Sequence, residues 1–105
     1  MYIICTMVVY KKALEFDWDK ANIDKSYKKH GTTTSETEEI FLDENLRIIR
    51  DIKHSQKEDR FIALGKTQEG KVLFVVFTNR KEKIRVISAR IAHKNERNYY
   101  EKKLK

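Results

Sequence analysis

The 105-residue chain has no proline, three glycines and one cysteine. With so few chain breakers and no low-complexity run there is no linker composition, so the chain reads as continuous structure joined by tight connections. The single cysteine, Cys5, excludes an intrachain disulfide, a disulfide scaffold and a thiolate zinc site, and a reducing, cytoplasmic setting is the expectation. Long hydrophobic runs are missing too. The longest, Tyr2 to Tyr10, is interrupted by Thr6. It falls far short of the roughly 20 residues of a membrane-spanning helix, and it lacks the basic start and small-residue cleavage site of a signal peptide. His30, His54 and His93 have no helical metal spacing, so no metal site and no cofactor is expected. A glycine-rich phosphate loop, a Gly-x-Ser-x-Gly elbow and a Cys/His pair with an orienting group are also lacking, which disfavours nucleotide-dependent and triad chemistry.

What the chain has in excess is positive charge. Lys and Arg number 23 against 16 Asp and Glu, a formal charge of +7. Up to Asn79 the two signs balance at 13 each, whereas from Arg80 onward there are 10 basic residues against 3 acidic ones. A local excess of this kind concentrates polyanions at one surface, and nucleic acid is the commonest such partner. Hydrophobic residues at 40% and aromatics at 10% suffice for one small core, so residues 1–105 are expected to form a single domain.

Asp19 can cap a helix running to His30, where Gly31 supplies the usual stop. Ser35-Glu36-Thr37-Glu38 is a capping-box pattern that predicts a short second helix through Phe41. The period then changes. Leu46, Ile48 and Ile52 share one parity, as in a half-exposed strand, and Phe61 to Lys66 reads as a second strand, with a turn at Thr67-Gln68-Glu69-Gly70. Val72 to Phe77 is apolar on both parities, so it belongs in the middle of a sheet with both faces covered. After a turn at Asn79-Arg80-Lys81-Glu82, the strand Lys83 to Arg90 should place Ile84, Val86 and Ser88 on one face, with Arg85, Ile87 and Ala89 on the other. Ala92 to Lys103 predicts a C-terminal helix on which Tyr99 and Tyr100 face different sides. Tyr2 to Val9 is either a further strand or poorly ordered. The sum is an α+β fold with two N-terminal helices, an antiparallel sheet of about four strands and a C-terminal helix.

The residues left for chemistry are Arg, Lys, His and Tyr on and around this sheet. Guanidinium forks bind phosphate at two points and stabilise the charge of a pentacoordinate transition state without a metal. An RNA substrate brings its own nucleophile, the 2′-hydroxyl, so the protein need only position it and move protons.

Phe16-Asp17-Trp18-Asp19, Lys29-His30-Gly31, Glu58-Asp59-Arg60-Phe61 with Gly65, Thr78-Asn79-Arg80, the block Ile84-Arg85-Val86-Ile87-Ser88-Ala89-Arg90, and Glu96 to Tyr100 together resemble the BrnT family of toxins, over about Phe16 to Glu101. Residues 1–15 lie outside the pattern, and Asn22, Ser26, Thr32 and Thr34 depart from it. The resemblance implies a RelE-like fold and a ribonuclease toxin of a type II toxin–antitoxin pair. Its partner would be a BrnA-like antitoxin with a DNA-binding module, so that operator DNA is reached only through the antitoxin.

Carried over residue by residue, the resemblance nominates His30, Arg60, Arg80, Arg90 and Tyr100 as catalytic candidates and Lys29 and Glu58 as substrate-binding ones; Arg85 and Arg97 are added as ancillary substrate-binding residues, for RNA backbone or the acidic surface of a partner. His30 beside Gly31 fits a helix cap as well as a proton carrier, and Arg60 beside Glu58 and Asp59 fits a structural ion pair as well as a phosphate contact. The expected mechanism has Arg80 and Arg90 converging on the scissile phosphate, His30 or Glu58 taking the proton, and Tyr100 or Lys29 assisting the leaving group. Trp18 and Phe16 are expected to be core anchors. The alternative function is a nucleic-acid-binding or transcription-regulating subunit, a degenerate toxin that holds without cutting.

Overall fold

The computed structural model describes residues 15–18, 31–51, 53 and 58–102. The helix expected over residues 19–30 and the strand expected over residues 2–9 lie outside the described residues, as do Lys29 and His30.

Helix α1, Thr34–Ile40, begins with a capping box. The Thr33 hydroxyl accepts the Glu36 N–H at 3.1 Å, and the Thr33 N–H donates to Glu36 Oε1 at 3.0 Å. The box expected at Ser35 and Glu38 thus forms two residues earlier. Glu38 is otherwise engaged, since its Oε2 accepts Trp18 Nε1–H at 2.7 Å. The hydrogen bond from the Thr33 backbone, followed by that from Lys71 Nζ at 2.9 Å, holds the Glu36 carboxyl below its ordinary pKa.

Four strands follow in sequence and in space: β1, Arg47–Arg50; β2, Phe61–Lys66; β3, Val72–Arg80; and β4, Lys83–Ile91. All neighbours are antiparallel. This is the expected α+β meander, closed by a C-terminal helix α2, Lys94–Lys102. One helix, α1, precedes the strands among the described residues. The doubly apolar run Val72 to Phe77 lies in β3, inside the sheet as its pattern requires.

One face of the sheet carries the main core. Ala63 of β2 and Leu73, Val75 and Phe77 of β3 are buried against Ile40 and Phe41 at the end of α1, with Phe16 and Trp18 packed on the same cluster as core anchors. Ring pairs run from Phe16 to Phe41 at 5.3 Å and from Phe41 to Phe77 at 5.4 Å. Gly65 marks the closest approach of helix to strand: a Cβ there would stand 2.7 Å from Ile40 Cβ and 2.9 Å from the Ile40 carbonyl oxygen.

Strand β4 departs from simple alternation. Val76 pairs with Ser88 but Phe77 pairs with Val86, so Ile87 is an extra residue and the register shifts at a bulge. Ile84, Val86 and Ala89 therefore all face the main core. Arg85, Ser88 and Arg90 stand opposite Thr78, Val76 and Phe74 on the second face. The expected grouping of Ile84, Val86 and Ser88 is corrected accordingly. The turn between β3 and β4 is two residues, Lys81 and Glu82, both with positive φ of 54° and 65°, as a type I′ hairpin demands.

On the second face α2 covers one end. Tyr100 is buried against Leu64, Val72 and Ala92, with Phe74 packed alongside. The rest of that face positions the candidate site.

Candidate functional site

The register divides the nominated residues into two groups. Arg80 pairs with Lys83 at the hairpin, whereas Arg90 pairs with Phe74. Six positions of β3 separate those pairs, about 20 Å at the rise of a strand. Arg80 and Arg90 therefore do not converge on one phosphate, and the expected arrangement is corrected on that point.

At the helix end, Arg90 is occupied by its own fold. Its two terminal nitrogens donate to Glu96 Oε1 and Oε2, each at 2.8 Å, a fork-to-fork pair. The guanidinium carbon lies 4.0 Å from the centre of the Phe74 ring. Glu96 Oε1 also accepts the His93 backbone N–H at 2.7 Å, which ties the start of α2 to the same clamp. The Arg90 hydrogen bonds, foremost, hold the Glu96 carboxyl below its ordinary range. Tyr100 is 1% exposed, and its hydroxyl donates to Asp43 Oδ2. Burial, followed by that bond to Asp43, raises the phenol pKa well above its ordinary value. Asp43 also accepts the backbone N–H of Asn45 at 3.0 Å and of Lys66 at 2.8 Å. One carboxylate thus joins the loop after α1, the end of β2 and α2. Arg97 lies exposed on α2, its backbone N–H donating to the His93 carbonyl at 2.9 Å.

The hairpin end gathers the other four. Extending the β2–β3 register by one residue sets Arg60 opposite Thr78, and Thr78 faces Arg85 on β4. The Thr78 hydroxyl donates to the Asp59 carbonyl at 2.6 Å, closing that row. Backbones of Arg60 and Arg85 are then two strand spacings apart, about 10 Å, within the joint reach of two guanidinium arms. Arg80 and Lys83 form the next row outward. Arg80 Nη2 lies 3.4 Å from Glu58 Oε1, with the arginine half exposed and the glutamate about a third exposed. Arg85 Nη1 lies 3.4 Å from Asp17 Oδ2. Asp17 is held beside β4 by its own N–H, which donates to the Ile84 carbonyl at 2.8 Å. The arrangement is three arginines and a lysine on one sheet face, with carboxylates at their flanks. It can receive a phosphodiester and offer a base to a hydroxyl beside it.

The sequence reading gives Arg85 as an ancillary contact and Glu58 as a substrate-binding residue or base, and assigns Asp17, Asp43, Glu96 and Lys83 no role in the site. Glu96 is three residues beyond His93, the spacing of a helix-start carboxylate, and that signal was available. Asp43 and Asp17 carried none, because their partners lie 57 and 68 residues away in the chain.

No curated protein matches the chain. A family model described as the ribonuclease toxin BrnT of type II toxin–antitoxin systems matches residues 18–96. Among solved structures, the fold is similar to the ribonuclease toxin BrnT of Brucella abortus, with a TM-score of 0.58 and 23% identity over 77% of this chain and 99% of that one. The chain belongs to the BrnT family, the ribonuclease toxins of type II toxin–antitoxin systems.

Proposed function

We propose that this toxin is a metal-independent endoribonuclease whose reaction takes place at the hairpin end of the second sheet face. The observation that carries the reading is the grouping of Arg60, Arg80, Arg85 and Lys83 on one sheet surface, with Glu58 Oε1 3.4 Å from Arg80 Nη2. Arginine forks from two strands bracket the phosphate and neutralise the charge that builds on its oxygens as phosphorus becomes five-coordinate. Glu58 takes the proton from the 2′-hydroxyl. As the O2′–phosphorus bond forms, the bond to the 5′-oxygen breaks, and that oxygen takes a proton from an acid; Lys29 is the candidate from the family resemblance. The products are a 2′,3′-cyclic phosphate and a 5′-hydroxyl. No step in this route calls for a cation beyond the side chains named.

The RelE-like fold, with a helix over residues 19–30 completing a pair before the sheet, is part of the same proposal. So is a BrnA-like antitoxin as the partner that silences the toxin and carries it to operator DNA; membership of a type II family supports an antitoxin partner. Arg90 and Tyr100, in this reading, hold α2 on the sheet and leave the chemistry to the hairpin end.

The test is incubation of the purified chain with single-stranded RNA in excess chelator. Fragments ending in 2′,3′-cyclic phosphate are expected. A salt-sensitive mobility shift with intact RNA would instead identify a binding module that holds without cutting.

A further inference from the structure

The second face carries a feature that the catalytic reading leaves unused. Between α2 and strands β1 to β3 lies an open apolar cavity of 310 Å³. Ile49, Ile62, Leu64 and Phe74 form its floor, and Asn95, Tyr99 one helical turn on, and Glu96, its carboxylate paired with Arg90, form one wall. Tyr99 and Ile49 remain 41% and 39% exposed, an aromatic and an aliphatic surface turned toward solvent on a chain with a net charge of +7.

Its position argues for its occupant. Ile62 stands two residues along β2 from Arg60, about 7 Å on the same face, so the floor begins where the cationic row ends. A ribose-phosphate chain held at Arg60 and Arg85 has the neighbouring base within reach of this floor. The cavity is near the lower limit of small-ligand pockets and suits one planar ring rather than a packed helix. Its apolar floor gives little sequence-specific hydrogen bonding, whereas an aromatic ring at its edge stacks on any base, because every base has a π-face. Arg47, opposite Leu64 on the same face, adds positive charge beside it.

We infer that this cavity is a nucleobase subsite for the nucleotide next to the bound phosphate, with Tyr99 as its stacking residue. Of the two adjacent tyrosines, the buried Tyr100 anchors the helix and Tyr99 meets the substrate. The inference rests on RNA as the substrate but not on cleavage, and the test keeps the two apart.

The probe is a short single-stranded RNA with 2′-O-methyl sugars, which cannot be cut, made as a series with one abasic position in each member. Binding is measured by fluorescence anisotropy for the wild-type chain, Tyr99→Ala and Tyr99→Phe, after thermal melts show that the variants fold. Tyr99→Ala should weaken binding about 5- to 150-fold, as loss of one base stack does, and Tyr99→Phe should retain it. One abasic position should weaken wild-type binding to the same degree and make Tyr99→Ala cost nothing further. Several results overturn the inference: no binding of the probe, unchanged binding by Tyr99→Ala, or losses that add at every abasic position. If Tyr99→Ala instead abolishes capture of a co-expressed antitoxin while RNA binding stays intact, the cavity belongs to a protein partner and the inference also fails. Wild-type protein that binds the probe but leaves unmodified RNA whole would refute the catalytic reading alone.

Discussion

Replacing Arg90 with alanine should cost stability rather than catalysis. The residue makes two 2.8 Å hydrogen bonds to one carboxylate, and hydrogen bonds to charged groups contribute about 1.5–3 kcal/mol net. Both partners keep about a quarter of their side-chain surface in water, so the lower half of that range applies. The guanidinium lies over Phe74, which adds about 0.5–1 kcal/mol. Together these give about 2–3 kcal/mol, or a fall in Tm of roughly 10–20 °C for a domain of this size. The cycle Arg90→Ala, Glu96→Gln and the double variant, followed by urea denaturation, should be non-additive, because both single changes break one clamp. Glu96→Gln should cost less than Arg90→Ala, since its amide oxygen can still accept the His93 N–H. An Arg90→Ala variant within about 0.5 kcal/mol of wild type, yet with cleavage lost, would refute this reasoning and return the guanidinium to the substrate.

The remaining predictions concern the same scaffold. Tyr100→Phe should lose about 1–2 kcal/mol in thermal denaturation, because the Asp43 carboxylate keeps its two backbone donors; a neutral result would show that the hydroxyl bond contributes nothing net. Lys81→Asn with Glu82→Gly should stabilise the hairpin by about 1–2 kcal/mol, since both positions hold non-glycine residues at positive φ; a lower Tm would contradict the turn assignment. The Glu36 and Glu96 carboxyls titrate below their ordinary value of 4.5 in the folded chain. The unfolded chain therefore binds their protons first as pH falls, so their stabilisation is complete above that value and is lost progressively below it. Urea midpoints should fall between pH 6 and pH 3, and the fall should shrink in Glu96→Gln.

The strands were legible where local pattern and tertiary demand agree. Phe61–Lys66 and the doubly apolar Val72 run announce themselves by length, parity and the Thr67 to Gly70 turn between them, and both form as expected. The short helix was legible in kind, but Thr33 and Glu36 rather than Ser35 and Glu38 form its capping box, because Glu38 bonds Trp18, a contact that no local window contains. The bulge at Ile87 was invisible for a related reason. Alternating residues on β4 fit either phase, and only the register against β3 chooses between them. Family resemblance nominated residue types for the site but carried no information on which of them share an end of the sheet. Arg80 and Arg90 flank one strand in sequence, but a nine-residue strand carries them to opposite ends of the sheet.

The most direct measurement of the central claim is a side-by-side rate of RNA cleavage, per folded molecule, for Arg80→Ala and Arg90→Ala. If the hairpin end holds the phosphate, Arg80→Ala should keep its melting temperature, since that side chain is half exposed, and should lose about 10²- to 10³-fold in rate. Arg90→Ala should melt lower but cleave at close to the wild-type rate once corrected for the folded fraction. Full activity in Arg80→Ala, with activity lost in folded Arg90→Ala, would contradict the account.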